Sequence, residues 1–387
     1  MITDRLYYDD AYLTEFDARV AAVREGWAAL DRSAFYPTSG GQPFDTGALT
    51  AEDRVIHVTD VEVEDGVVLH RVDGPLRVGE PVHGKIDWAR RFDHMQQHAG
   101  DHMLAGAAWE LFGGVTIGLH LGKESSTIDM TLPGGRTRLT DSECGQLETL
   151  VNRRVQQDDL IRCWFPSPEE LKTLPLRKQP TVAEHVRVVA MGDYEMVPCG
   201  GTHPRSTGQI GPVKIISSTP ARGKMRLCFV AGMRAAALFQ QSFRCASGLA
   251  ALLSSDMASA PEALKAKLEA AREEQKALAD RLVQAAVQQL TREKQGSLYV
   301  GRVDFATRDL LLRAASLLTK APDAVALLCC PAEAGVAVVF ARGSDAPQDM
   351  AQLMRACGIR GGGKPAIAIG AAENETCLAK ALEEVRS

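Results

Sequence analysis

The sequence lacks three features that would point to a membrane protein, a secreted protein or a nucleic-acid coat. No apolar run approaches the roughly 20 residues of a membrane-spanning helix, and the opening segment MITDRLYYDD has no apolar signal-peptide core. Positive charge is not in excess, because 44 Lys and Arg stand against 49 Asp and Glu, a net charge of -5. These absences predict a cytoplasmic protein and argue against non-specific coating of nucleic acid.

The bulk composition is that of a folded, multidomain protein. With 387 residues, 45% of them hydrophobic and 24% charged, the chain predicts about two to four globular domains. Its nine cysteines stand at irregular spacings without a secretion signal. We therefore expect reduced thiols rather than a disulfide framework.

Hydrophobic periodicity divides the chain into parts of different character. The predicted parts are a β-rich segment (1–90), an α+β segment (91–233), an almost wholly helical segment (234–296) and a small α/β segment (297–387). In the second part we expect a helix over 91–112 that Gly113 and Gly114 end. We also expect strands in VTIGLHLG, STIDMTL and HVRVVAM, a helix over 139–159, and a β-hairpin with a basic turn at 211–232.

The helical segment carries an apolar repeat with alternating spacings of four and three. Its members are Leu264, Leu268, Ala271, Leu278, Leu282 and Ala285. Gln275 interrupts the repeat. The pattern is typical of a helical hairpin or a dimerising coiled coil, and it equally fits a long surface helix packed on its own domain.

Two pairs of metal-ligand residues are the most informative motif. His98 and His102 are spaced i, i+4, and so are Cys199 and His203 in the segment PCGGTH. This spacing turns two side chains the same way in a helix or tight turn. Two imidazoles, a thiolate and a third imidazole form a typical tetrahedral zinc site. A zinc protease would need glutamate directly after the first histidine, where this chain has Ala99.

The number of predicted ligands, four, is compatible with either a structural or a catalytic zinc ion. Structural zinc is usually closed by four protein ligands, whereas catalytic zinc usually keeps one position free. The metal would therefore either activate water or only orient a substrate.

Several motifs together carry a family resemblance. The two ligand pairs, the loop Gly40-Gly41-Gln42-Pro43, the segment HLGKESSTIDM and the stretch 176–203 resemble the editing domain of alanyl-tRNA synthetase. More closely, they resemble the free-standing alanyl-tRNA editing proteins of the AlaX type, long form. The tail GIRGGGKPAIAIG is similar to the glycine-rich C-terminal domain of the synthetase.

The resemblance implies both a fold and a function. The implied fold is multidomain α+β: an N-terminal β-barrel, an α+β zinc-binding editing domain, a long helical linker and a small C-terminal α/β domain. The implied activity is zinc-dependent hydrolysis of mischarged tRNA(Ala), chiefly Ser-tRNA(Ala), with Gly-tRNA(Ala) as a second substrate. Two uses of the C-terminal domain are open, binding of the tRNA elbow or formation of a homodimer, and the helical repeat of the linker offers a second place for a homodimer contact. We expect no ATP site, because the aminoacylation domain and a Walker-type loop are absent.

Roles for individual residues follow as hypotheses. The predicted catalytic residues are Thr116, Gln97 and His120; the predicted substrate-binding residues are Gly40, Gly41, Gln42, Arg222, Lys224 and Lys364. Thr116 would bind the serine hydroxyl, and Asp193 would orient a ligand histidine. Each predicted catalytic residue also has a structural alternative. Thr116 would be an ordinary strand threonine, Gln97 would face solvent, and His120 would be a histidine paired within the core. The run 361–363 fits either a phosphate contact or a plain turn.

This chain departs from the family pattern beside the metal ligands. Ala99-Gly100-Asp101 stands between the histidines, where the family often has a hydroxyl residue first and glutamine third, and Ser39 stands where a third glycine is common. The ligands themselves are retained, whereas selectivity for serine over alanine is left open. A non-catalytic zinc-containing tRNA-binding or regulatory protein is the main rival hypothesis, and a generic zinc hydrolase acting on a small ester is the second.

Overall fold

The computed structural model describes residues 2–180 and 185–386. The chain forms two compact units, Met1–Cys245 and Ala246–Ser387. No helix in the described stretches is long and apolar enough to cross a membrane. Residues 181–184 belong to the motif-bearing stretch 176–203 but lie outside the described residues. The four-part division of the chain stays a prediction.

The β-rich beginning of the chain forms a closed barrel, which confirms the expected β-barrel. Its strands and two short neighbours are β1 (Asp4–Arg5), β2 (Glu15–Arg24), β3 (Trp27–Leu30), β4 (Arg32–Ser33), β5 (Gly47–Ala51), β6 (Arg54–Glu64), β7 (Val67–Val72) and β8 (Pro81–Ile86). Six of them close in the order β2-β3-β7-β6-β5-β8. Buried Phe16, Ala18 and Val20 alternate with exposed residues along β2, as a strand with one face in the core requires.

Helix α1 (Trp88–Phe112) carries the first ligand pair. It begins three residues before the predicted helix because the carboxylate of Asp87 caps it by accepting from the backbone N–H of Arg90. It ends where predicted, since Gly113 adopts a left-handed conformation with φ of 65°. From His94 to Ala108 every residue is buried, so the helix runs through the core of the first unit.

The remainder of the first unit surrounds α1 with strands and one long helix. Its elements are β9 (Val115–Leu121), β10 (Ser126–Thr131), α2 (Asp141–Gln156), β11 (Ile161–Trp164), α3 (Pro168–Leu171), β12 (Val188–Met191), β13 (Glu195–Pro198), β14 (Val213–Ala221) and β15 (Lys224–Ala231). They form a sheet of order β14-β15-β10-β9 and a second of order β11-β12-β13. The predicted strands and hairpin are confirmed. Helix α2 begins at Asp141 because Thr140 and Glu143 form a capping box, and it ends at Gln156, before the predicted end at residue 159.

The predicted helical segment is two helices, α4 (Gly232–Leu253) and α5 (Ala260–Arg292). The break comes where the Asp256 carboxylate accepts hydrogen bonds from the backbone N–H groups of Ala258 and Ser259. Such side-chain bonds compete with helical bonds and end the regular pattern.

The second unit continues from α5 into a five-stranded sheet with helices on both faces. Its further elements are β16 (Leu298–Arg302), α6 (Arg308–Leu318), β17 (Val325–Pro331), β18 (Val336–Arg342), α7 (Met350–Ala356), β19 (Arg360–Lys364), β20 (Ile367–Ala372) and α8 (Thr376–Arg386). The strand order is β16-β17-β18-β20-β19. Adjacent Cys329 and Cys330 are fully buried on opposite faces of β17, one against each helical layer. The predicted plain turn at 361–363 is wrong, because these glycines lie in β19 and pair with β20.

Candidate metal centre and substrate cavity

The two predicted ligand pairs meet in the first unit. Ligand atoms of His98, His102, Cys199 and His203 all lie within 4.8 Å of one another. The Sγ atom of Cys199 is 3.4 Å from the Nε2 atom of His98 and 3.3 Å from that of His203. Helix α1 supplies the first pair from one face, and the loop after β13 supplies the second.

The glycines of PCGGTH let the loop approach α1 closely. A Cβ atom on Gly201 would lie 2.1 Å from the Cε1 atom of His98, well inside van der Waals contact. Only glycine fits there without displacing the imidazole ring. The guanidinium group of Arg187 donates hydrogen bonds to the carbonyl oxygens of Cys199 and Gly201 and fixes the loop from behind.

The residues present fit a zinc ion. Zinc bonds of about 2.3 Å to sulfur and about 2.0 Å to nitrogen in a tetrahedron place sulfur and nitrogen ligand atoms roughly 3.5 Å apart, close to the separations found here. The Nε2 atom of His102 is buried, and no described residue offers it a hydrogen-bond partner. Imidazole and thiolate donors also favour zinc over magnesium or calcium. The cluster is thus able to hold a metal ion and is consistent with zinc.

The local charges favour the thiolate that a metal ligand must be. Burial by itself raises the pKa of the Cys199 thiol, but the neighbouring histidines lower it more strongly, so that it lies well below its usual value. Burial lowers the pKa of His203 to about 3, which keeps its imidazole neutral. A neutral imidazole has a free lone pair for a metal.

Gln42 orients one of the ligands. Its amide oxygen accepts a hydrogen bond from the Nδ1 atom of His98 at 2.8 Å, and its amide nitrogen donates to the Oγ1 atom of Thr202 at 2.8 Å. Fixing Nδ1 in this way turns Nε2 toward the metal position. Gln42 is fully buried behind His98. The structure therefore gives it a positioning contact and not the substrate contact that the sequence suggested.

A carboxylate stands behind a second ligand, but it is not the predicted one. The Oε1 atom of Glu195 lies 3.9 Å from the Nδ1 atom of His102, and the Arg177 guanidinium holds the same carboxylate through both oxygens at 2.8 and 2.9 Å. Asp193 is exposed to solvent, so its predicted role is wrong. The two acidic residues are two apart on either side of the start of β13, and only the tertiary packing shows which one faces α1.

A cavity of about 430 Å³ opens onto the ligand cluster. Its walls include Tyr36 and Gly40 from the barrel segment, Asp101 from α1, and Thr116 from β9. A larger cavity of about 960 Å³ lies between α2, β14 and α4, but its lining contains none of the ligand residues and is mainly apolar. We therefore place the functional site at the smaller cavity.

Comparisons with known proteins relate two segments of this chain to tRNA synthetases. The family described as class II (A) tRNA synthetases matches residues 8–90. The family described as the threonyl and alanyl tRNA synthetase second additional domain matches residues 186–227, which include Cys199 and His203. The chain is alanyl-tRNA synthetase-like.

Individual relatives show how far the similarity extends. The alanine–tRNA ligase of Thermococcus kodakarensis is 33% identical over 99% of this chain and 43% of the ligase. That of Pyrococcus furiosus is 33% identical over 84% of this chain and 37% of the ligase. That of Halobacterium salinarum is 37% identical over 60% of this chain and 26% of the ligase. The alanyl-tRNA synthetase-like chain thus spans less than half the length of these relatives.

Two further predicted residues, Thr116 and Gly41, lie in or beside the cavity wall. Thr116 lines the cavity, and its buried Oγ1 atom has no hydrogen-bond partner among the described residues. Gly41 follows the cavity-lining Gly40 and has a positive φ of 87°, and a Cβ atom there would lie 2.4 Å from the carbonyl oxygen of Leu119. The chain therefore needs glycine at this position to bring the loop against β9.

The other two predicted catalytic residues do not line the cavity. Gln97 is fully buried, and its amide exchanges hydrogen bonds with both backbone groups of Ala231 at 2.9 Å. Successive side chains of an α-helix are rotated by about 100° around its axis, so Gln97 points away from the face that carries His98. His120 is exposed on β9, next to Leu119 on the opposite face. Neither placement supports direct contact with substrate.

The predicted basic contacts are also outside the cavity. Arg222 lies in the turn of the β14–β15 hairpin and Lys224 begins β15, whereas Lys364 ends the edge strand β19 of the second unit. One cavity residue to which the sequence analysis assigned no role is Asp101, although its position three residues after His98 placed it on the metal-facing side of α1.

Proposed function

We propose that this chain is a trans-editing hydrolase that deacylates mischarged tRNA(Ala), chiefly Ser-tRNA(Ala) and also Gly-tRNA(Ala), in the cytoplasm. The observation that carries the proposal is the four-residue metal-ligand cluster opening onto a cavity with an unpartnered threonine hydroxyl. Similarity to alanine–tRNA ligases supports tRNA(Ala) as the partner.

The physical need for such a site is clear. A synthetic site sized for alanine cannot sterically exclude glycine, and an added hydroxyl is rejected only modestly by a hydrophobic pocket. A second site that accepts the hydroxyl removes the error after charging. It requires a buried polar group that alanine leaves unpaired, and the Oγ1 atom of Thr116 meets this requirement.

Each group of residues at the site has its own role in the proposed hydrolysis. Zinc, when bound by the four ligands, supplies Lewis-acid polarisation and lowers the pKa of bound water. Thr116 binds the serine hydroxyl, and Gly40 lets backbone approach the amino-acid moiety. Gln42 and Glu195 hold two ligand imidazoles in place. The metal would either activate water or position the ester, and metal substitution distinguishes these two roles.

Contacts to the tRNA body are proposed away from the cavity. Arg222, Lys224 and Lys364 would bind phosphates, which suits a protein whose overall charge is negative and whose basic groups are local. We also propose that α5 joins two copies of the chain, because leucines of its four-three repeat are exposed on the helix surface.

Deacylation assays with Ser-, Gly- and Ala-tRNA(Ala) test the proposal. We expect cleavage of the first two, little cleavage of Ala-tRNA(Ala), and loss of activity with chelator that zinc restores. Replacing zinc with cobalt shifts the pH profile if the metal activates water and leaves it in place if the metal only positions the ester. Tight binding of tRNA(Ala) with cleavage of none of the three would favour the non-catalytic alternative.

A further inference from the structure

A buried carboxyl group in the cavity has no task in the scheme above. Asp101 lies between the two histidine ligands on α1 and is 5% exposed. It lines the cavity, and its buried Oδ1 atom has no hydrogen-bond partner among the described residues. An unpaired buried acceptor is costly, so its retention in a ligand cavity calls for a partner that arrives with the ligand.

Two neighbouring donor groups are already engaged, whereas Lys178, which also lines the cavity, is exposed to solvent. The Arg177 guanidinium is held by the carboxylate of Glu195, and the Nδ1 atom of His98 donates to Gln42. Asp101 does not belong to the ligand cluster either. Its carboxyl group is thus an acceptor facing the space beside the ligands, where the aminoacyl ester has to lie.

We propose that the carboxyl group of Asp101 binds the α-ammonium group of the aminoacyl ester and makes the site selective for a free amine. This inference rests on the proposed function. An ammonium group offers three N–H donors and no acceptor, so it matches an unpaired carboxyl oxygen in a charge-assisted bond. N-acylation removes the charge and leaves a single donor. The site therefore excludes N-acylated aminoacyl-tRNA and, by the same chemistry, peptidyl-tRNA.

Two substrates that differ only at the amine test the inference. The wild-type protein should cleave Ser-tRNA(Ala) with a kcat/KM roughly 10- to 100-fold above that for N-acetyl-Ser-tRNA(Ala), the range expected for a hydrogen bond to a charged group. Asp101→Asn should lose a similar factor on the free-amine substrate and little on the acetylated one. Asp53→Asn, the same change in an exposed barrel turn, serves as the matched control.

A binding measurement without chemistry gives an independent readout. The seryl amide of 3′-amino-3′-deoxyadenosine and its N-acetyl form resist ester hydrolysis, and calorimetry reports their affinities. We expect the wild-type protein to prefer the free amine and Asp101→Asn to lose that preference. Because the wild-type comparison needs no variant, it decides the question even if Asp101→Asn fails to fold.

The outcomes separate this inference from the proposed function. Equal cleavage of both esters by the wild-type protein, or equal slowing of both by Asp101→Asn, would overturn the ammonium site and leave the deacylase. Cleavage of neither ester with amine-selective binding would remove the deacylase and leave the ammonium site. Cleavage of neither with equal binding would remove both.

Discussion

At the scale of single residues, the metal centre depends on side chains that act as pairs. Each ligand imidazole of α1 has a neighbour behind it: Gln42 accepts from His98, and Glu195 stands 3.9 Å from His102. Such outer contacts set the ring orientation and the basicity of a ligand. We therefore expect the metal-binding geometry to depend on residues from the barrel segment and β13 as well as on the four candidate ligands.

Replacing Cys199 with alanine should release zinc and abolish deacylation of Ser-tRNA(Ala). The thiolate is the only sulfur donor of the cluster, and three imidazoles bind the metal more weakly. Metal analysis of the purified protein and a deacylation assay measure the two effects. The matched control is Cys245→Ala, which changes an exposed cysteine outside the site. Full activity in metal-depleted Cys199→Ala protein would contradict a zinc-dependent mechanism.

Replacing Thr116 with valine should reduce cleavage of Ser-tRNA(Ala) while zinc stays bound. Valine keeps the shape but removes the hydroxyl, so the serine side chain loses a buried hydrogen bond, roughly a 10-fold loss in kcat/KM. Cleavage of Gly-tRNA(Ala) should change little, because glycine has no hydroxyl to bind. Unchanged serine kinetics in this variant would reject the assigned role.

At the scale of elements, a buried ion pair fastens the barrel to the metal-bearing helix. Arg91 in the first turns of α1 and Asp45 in the segment before β5 are both fully buried. The Arg91 Nε atom donates to the two oxygens of Asp45 at 3.1 and 3.0 Å, and Asp45 also accepts from the backbone N–H of Tyr36. The contact aligns α1 with the barrel segment that supplies Tyr36 and Gly40 to the cavity.

Replacing Asp45 with alanine should lower the free energy of unfolding by roughly 3–5 kcal/mol. The change leaves the Arg91 guanidinium buried without its counter-ion, which is far more costly than losing an exposed pair. Urea unfolding followed by circular dichroism measures the difference. Asp129→Ala, which breaks a partly exposed pair with Arg226, should have little effect. Similar decreases in the free energy of unfolding in both variants would contradict a larger contribution from the buried pair.

At the scale of the whole molecule, α5 presents an apolar repeat on its surface. Leu268, Leu278 and Leu282 are each about half exposed, whereas Val283 and Leu290 on another side of the helix are buried in the core of the second unit. One side of α5 thus packs in the core of the second unit, whereas the leucines of the repeat with spacings of four and three form an exposed apolar seam on another side. A seam of this kind is what a coiled-coil partner covers.

Replacing Leu268 with lysine should shift the chain from dimer to monomer in sedimentation equilibrium. The new charge would be buried in the seam of the paired helices. Ala266→Lys places the same charge on the outer side of α5 and should leave the dimer intact. A wild-type protein that stays monomeric at high concentration would contradict the proposed dimer.

The sequence by itself determined much of the local structure and the four residues of the candidate metal cluster. Strand alternation, the stop at Gly113 and the i, i+4 pairs are short-range patterns, and each maps onto an observed element. Sequence-based prediction failed where the role of a residue depends on which side of a helix or strand faces the core. Gln97 stands beside a ligand yet turns away from it, and Asp193 yields to Glu195 two positions later.

Only the tertiary structure decided how these parts form a site. It brought PCGGTH against α1 because Gly201 allows a contact that any side chain would block. It turned Gln42 from a suggested substrate contact into a support for His98, and it left Asp101 and Thr116 as unpartnered groups in one cavity. The physical reason is range: periodicity and spacing report neighbours along the chain, whereas a cavity is made by residues that are distant in sequence and meet only when the core packs.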